Sequence, residues 1–99
     1  MAGMSPRYKK PRLCGCKFRG SAFKPTGVPM AGIEKITLYR DELEVLKLCD
    51  LDGLTQEEAG RRMRISRGTV QRILANARRK VASALSECKA LVCEKTISE

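Results

Sequence analysis

The sequence has no histidine and no tryptophan, and only two Phe and two Tyr among 99 residues. Without histidine, the commonest general base and metal ligand near neutral pH is missing. So few aromatics leave little to line a deep ligand pocket or to stack the splayed bases of single-stranded RNA. No apolar run approaches the ~20 residues of a membrane-spanning helix. The basic, polar opening MAGMSPRYKKPR lacks the apolar stretch of a secretory leader, so a cytoplasmic protein is expected. There is no nucleophile elbow and no phosphate-cradling loop of the GxxxxGK[ST] type, so neither an enzyme nor a cofactor is expected. The core of one small domain has to be built from Leu, Ile, Val, Met and Ala, which suits helices packed on helices.

Acid is also missing, but only in places. Residues 1–33 carry seven bases and no acid, residues 34–60 carry eight acids and three bases, and residues 61–80 carry eight bases and no acid. The net charge of +9 is therefore segregated along the chain. A basic arm and a basic helical block on either side of an acidic segment fit a molecule that meets phosphates on two surfaces.

Residues 1–32 read as an extended basic arm, because Pro6, Pro11, Pro25 and Pro29 with Gly15, Gly20, Gly27 and Gly32 break any periodicity. Arg7, Lys9, Lys10 and Arg12 in this arm are candidate phosphate ligands. IEKITL, residues 33–38, alternates as a short strand does, and KALVCE near the C-terminus is its natural partner in a small two-stranded β patch, within or between subunits. The next stretch, YRDELEVLKLCDLDG, places Asp41, Glu42 and Glu44 where a helix dipole favours anions, with Leu43, Leu46 and Cys49 at three-residue steps beside Val45 and Leu48. Gly53 suits the left-handed residue beyond a helix end. The spacing of Thr55 and Glu58 is that of a capping box, starting a second helix that runs to about Met63.

Ser66 is a good N-cap for a third helix, with Val70, Ile73, Leu74, Ala77, Val81 and Leu85 down its inner face. Two helices joined by so short a turn make a helix-turn-helix. Gly60, costly inside a helix by ~1 kcal/mol, is explained if the backbone of the third helix passes close by. With Val70, Ile73, Leu74 and Ala77 packed on Ala59, Met63 and Ile65, the outward set is Arg67, Gly68, Thr69, Gln71, Arg72 and Ala75. Arg67, Thr69, Gln71 and Arg72 have the chemistry to read base edges in a major groove, since Arg pairs with guanine, Gln with adenine, and a Thr methyl meets thymine. Ser66, Arg61, Arg62, Arg64, Arg78, Arg79 and Lys80 are the matching phosphate ligands.

These residues also carry a resemblance. LTQEEAGRRMRISRGTVQRILANARRKVA is similar to the helix-turn-helix of sigma-70 region 4, and LYRDELEVLKL to the helix preceding it there, over about residues 38–85. FKPTGVP, DELEVLKLCDLDGLTQEEAG, SRGTVQRILANARRKVASAL and KAL together resemble a small prokaryotic family of uncharacterised, predicted DNA-binding proteins. The resemblance implies a three-helix DNA-binding core with residues 66–72 as its recognition segment. Arg64 stands where such turns often carry Gly, and Gly68 where relatives carry a longer side chain.

Five cysteines, with no leader ahead of them, point to reduced thiols. Cys14-Gly-Cys16 would need Cys88 and Cys93 as partners to hold a metal, a weak ligand set without histidine. The chain is thus expected to be an all-α, three-helix domain over residues 33–86, with the arm over 1–32 and a tail over 87–99. Its expected role is that of a transcriptional regulator binding double-stranded DNA, with homodimers reading paired half-sites. A thiol-redox or metal sensor is the alternative, or a module that docks on RNA polymerase through the acids of the first helix.

Overall fold

The computed structural model describes residues 22–94. In chain order they form β1 (Ala22–Phe23), a 3-10 turn (Met30–Gly32), β2 (Lys35–Leu38), α1 (Arg40–Val45) continued by a π-helical segment (Leu46–Leu51), α2 (Gln56–Met63), α3 (Arg67–Ser86) and β3 (Ala90–Cys93). The three helices are joined by a three-stranded sheet, so the all-α expectation is corrected to a mainly helical fold with a small sheet. Within the stretch 1–32 expected to be an extended arm, Ala22–Phe23 is a strand and Met30–Gly32 a 3-10 turn. Arg7, Lys9, Lys10, Arg12, Cys14 and Cys16 lie outside the described residues.

Strand order is β1-β3-β2. IEKITL and KALVCE do pair, within one chain and in parallel, with Ile36 beside Leu91 and Leu38 beside Cys93. A parallel pair cannot be closed by a hairpin and needs a long crossover; here all three helices supply it. β1 then adds antiparallel on the other side of β3, Phe23 beside Leu91.

The helices bury one cluster made of Val45, Leu48, Ala59, Met63, Val70, Ile73 and Leu74. Each large apolar side chain removed from water contributes about 1.5–3 kcal/mol. A second cluster joins Ala77 of α3 to Leu38 and Cys93, fastening the sheet to the helices. The inner face of α3 runs through Val70, Ile73, Leu74 and Ala77 as its spacing predicts, then drifts. Ala84, seven residues after Ala77, is buried where the sheet covers the helix, whereas Leu85 is 76% exposed, contrary to expectation. Gly53 follows the π-helical segment at φ +82°, the left-handed position that a side chain would strain.

α1 departs most from expectation. Asp41 and Glu42 do occupy its first turn, but both are buried, as is Glu44. They are buried and do not form the exposed acidic face that the sequence suggested. Glu42 accepts the Tyr39 N–H at 2.9 Å and the Lys80 ammonium at 2.7 Å. Lys80 also donates to the Thr37 carbonyl at 2.8 Å and lies 4.6 Å over the Tyr39 ring.

Candidate nucleic-acid interface

α2 and α3 are separated by Arg64, Ile65 and Ser66 alone. α2 is started by the expected reciprocal cap: the Glu58 N–H donates to Thr55 Oγ1 at 3.1 Å, and the Thr55 N–H donates to Glu58 Oε1 at 2.8 Å. That pairing holds the Glu58 carboxyl below the ordinary glutamate range, the Thr55 backbone N–H being the largest cause and its hydroxyl the next.

At its other end α2 closes with two tight bonds. The Ile65 N–H reaches the Gly60 carbonyl at 2.9 Å and the Arg64 N–H reaches that of Arg61 at 3.3 Å. This is a Schellman end, whose left-handed residue is usually glycine. Here it is Arg64, at φ +61° and ψ +43°. Gly60 permits the corner: a Cβ built there would stand 2.7 Å from the Ile65 carbonyl oxygen and 3.4 Å from Val70 Cγ2. The backbone that approaches Gly60 is therefore that of the turn, not of α3 as expected, and α3 contributes only the Val70 side chain.

Ser66 caps α3, its Oγ accepting the Thr69 N–H at 3.1 Å. From that start the helix turns Arg67, Gly68, Gln71, Arg72 and Ala75 to solvent while Val70, Ile73 and Leu74 enter the core. Thr69 is only half-buried, and its hydroxyl lies 2.9 Å from that of Ser66 in a shared hydrogen bond. Arg61, Arg62 and Arg64 are exposed around the corner. Arg61 makes a loose pair with Glu57 at 3.4 Å, a surface contact of little weight.

Of the remaining bases of residues 61–80, Arg78 and Lys80 are engaged by acids of other elements, while Arg79 stays exposed. Arg78 donates to both oxygens of Asp50, at 2.6 and 3.1 Å, spanning from α3 to the π-helical segment. The paired guanidinium holds the Asp50 carboxyl below its ordinary range. Arg79 is exposed and donates to Asn76 at 3.0 Å. Lys80 is turned inward to Glu42, which conflicts with its assignment as a phosphate ligand; its ammonium is spent on a buried carboxylate and a backbone carbonyl. A hint was present in the sequence. Tyr39 and Glu42 have the three-residue spacing of a helix start, which marks Glu42 as an acceptor for the Tyr39 N–H, though not as buried, since Glu58 at the same spacing from Thr55 is exposed.

The three described cysteines lie in different elements or turns. Cys93 is buried beside Leu38 and Ala77, and burial pushes its thiol up. Cys49 is raised by burial too, while Cys88 is exposed at the end of α3. Among the described residues no group of three or more His, Cys, Asp or Glu could hold a metal ion. Among those residues, too, no helix is long and apolar enough to cross a membrane.

Several known proteins are similar to the chain. A "UPF0251 protein" of Halothermothrix orenii is 52% identical over 69 residues, which are 70% of this chain and 51% of that protein. "UPF0251 protein VV2_0946" of Vibrio vulnificus is 48% identical over 86 residues, covering 87% of this chain and 86% of that one. "UPF0251 protein Teth39_0655" of Thermoanaerobacter pseudethanolicus is 44% identical, covering 90% and 75%. The chain thus spans about half the length of the Halothermothrix protein and most of the other two. No solved structure matches it. The family described as "Protein of unknown function DUF134" matches residues 3–96, nearly the whole sequence, and the chain belongs to that family.

Proposed function

We propose that α2, the Arg64–Ser66 turn and α3 are a helix-turn-helix that binds double-stranded DNA, and that the protein regulates transcription through it. One observation carries the reading: the first half of α3 buries its apolar side and presents Arg67, Gln71 and Arg72 together on the other, after a corner ringed with arginine. A helix of this kind fits a major groove, with its N-terminal side chains nearest the base edges. Arg67, Gln71 and Arg72 are the base readers in this reading. Thr69 contributes at most its methyl, because its hydroxyl is used in the cap. Arg61, Arg62 and Arg79 hold phosphates and carry affinity without sequence information.

The two groups fail differently when replaced by Ala. Gln71→Ala and Arg72→Ala each cost about 1–3 kcal/mol on a preferred site and relax sequence preference there. Arg79→Ala weakens binding to all DNAs alike and lowers the slope of log affinity against log salt by about one. The measurement is titration of each variant on a site selected from random DNA and on a scrambled one, at several salt concentrations. Equal losses on both DNAs for all three variants would reduce α3 to a polycationic rod and end the reading.

A further inference from the structure

Arg64 is the one non-glycine residue in the α2–α3 corner with positive φ, at +61°. It occupies the position in a Schellman end where glycine relieves strain, because a Cβ there crowds the neighbouring carbonyl. The corner has no freedom to relax around it. Gly60 already lies against the turn with no room for a methyl, and the Ile65 and Arg64 N–H groups are both tied back to α2. Among the described residues no hydrogen bond or ion pair engages the Arg64 guanidinium, and the side chain is exposed. The two backbone bonds of the turn offset part of the strain, but any residue other than proline at position 64 would allow them, and the Arg64 side chain itself adds no bond inside the fold. Left-handed non-glycine residues, of which Cys88 at φ +56° is the other among the described residues, are enriched at sites that bind ligands; Arg64 differs from Cys88 in carrying a charge beside the exposed start of α3.

We infer that Arg64 is kept in the left-handed position because the rigid corner sets its guanidinium against a DNA phosphate, next to the base-reading start of α3. The inference rests on the DNA-binding reading above and deepens it: Arg64 is a positioning residue that sets where α3 enters the groove. A long side chain on a fixed backbone loses less freedom on binding than one on a mobile loop. Arg also offers two parallel N–H donors to a phosphate, where a lysine offers only a point charge. Stability and affinity are then opposed at this single residue.

The test replaces Arg64 three ways in the full chain. Arg64→Gly removes both charge and strain, Arg64→Asn removes the charge with a residue that tolerates the left-handed region, and Arg64→Lys keeps the charge and the strain. Arg64→Gly is expected to raise the Tm by a few degrees, to lose several-fold in affinity at low salt, and to lower the log–log salt slope by about 0.9. Arg64→Asn lowers the slope by the same amount. Arg64→Lys keeps most of the slope and the wild-type Tm, and all three variants keep the order of preference between selected and scrambled sites. If wild-type protein prefers its selected site while Arg64→Gly binds with the wild-type salt slope, the inference falls and the DNA-binding reading stands. A lower Tm for Arg64→Gly would overturn it as well, since Arg64 would then be stabilising the corner. If wild-type protein binds no duplex DNA, the proposed function fails, and this inference with it.

Discussion

At the scale of the single residue, Gly60 controls the corner. Its place in α2 costs about 1 kcal/mol of helix propensity against Ala, and what it gains is the passage of Ile65 and Ser66 across its face. The nearest atom to an added Cβ is a backbone carbonyl, 2.7 Å away, which cannot rotate aside as the end of a flexible side chain can. Gly60→Leu is therefore expected to destabilise the protein by about 1–3 kcal/mol through overpacking. Gly60→Ala, though it improves propensity, should also lower the Tm. Urea unfolding of both variants checks this, and an unaltered midpoint for Gly60→Ala would mean that the turn is looser than the 2.7 Å approach requires.

At the scale of the element, α2 is held at its two ends by unlike means: a reciprocal side-chain cap at Thr55 and Glu58, and a backbone-only closure at Gly60 and Arg61. The first end is sensitive to pH. Because Thr55 holds the Glu58 carboxyl below its ordinary range in the folded protein, the cap's contribution is fully present above the unfolded value of about 4.3. It disappears as pH falls through the lower, folded value. Gln can occupy the same cap position without a titrating proton. The stability difference between wild type and Glu58→Gln should accordingly favour wild type near pH 6 and shrink as pH falls below 4. The shifts of Asp50 and Glu87, common to both proteins, cancel in that difference. Denaturant titrations of the pair at several pH values check this, and a difference constant down to pH 3 would mean that the carboxylate charge adds nothing to the cap.

At the scale of the whole molecule, Lys80 connects three elements. From α3 it reaches Glu42 in α1 and the carbonyl of Thr37 in β2, 38 and 43 residues away in sequence. Glu42 is only 2% exposed, so removing its cationic partner leaves a carboxylate in poor solvent. Lys80→Met is expected to cost about 1–3 kcal/mol. Glu42→Gln in the same chain should recover part of that loss, since the amide oxygen can still accept the Tyr39 N–H without demanding a cation. A double-mutant cycle by urea unfolding measures the coupling; additive effects would show that the two side chains do not depend on each other. Affinity for DNA is a second readout. A Lys80 spent inside the fold predicts a wild-type salt slope for a folded Lys80→Met variant.

Much of the local architecture was legible in the sequence because it depends on residues a few positions apart. Thr55 with Glu58, Ser66 ahead of Val70, and Gly53 after a helix satisfy backbone groups within one turn of themselves. The inner face of α3 from Val70 to Ala77 follows from a period of 3.6 residues. Even the pairing of IEKITL with KALVCE could be suspected from composition. Its direction could not, nor could the third strand at Ala22–Phe23, since a two-residue strand has no period and exists only because β3 offers it an edge. The charges were the hardest to read. Asp41, Glu42 and Glu44 look like solvated acids, and Lys80 like a phosphate ligand, until Glu42 is folded against it across 38 residues of chain; Arg78 pairs with Asp50 across 28 residues but stays exposed. A charged side chain reaches several ångströms and takes whichever partner the fold brings near. Sequence alone thus determined where helices begin, end and turn, which hydrogen bonds over three to five residues decide. Only the tertiary structure decided which basic residues remain outside, because that depends on which acids the packing of distant elements draws inward.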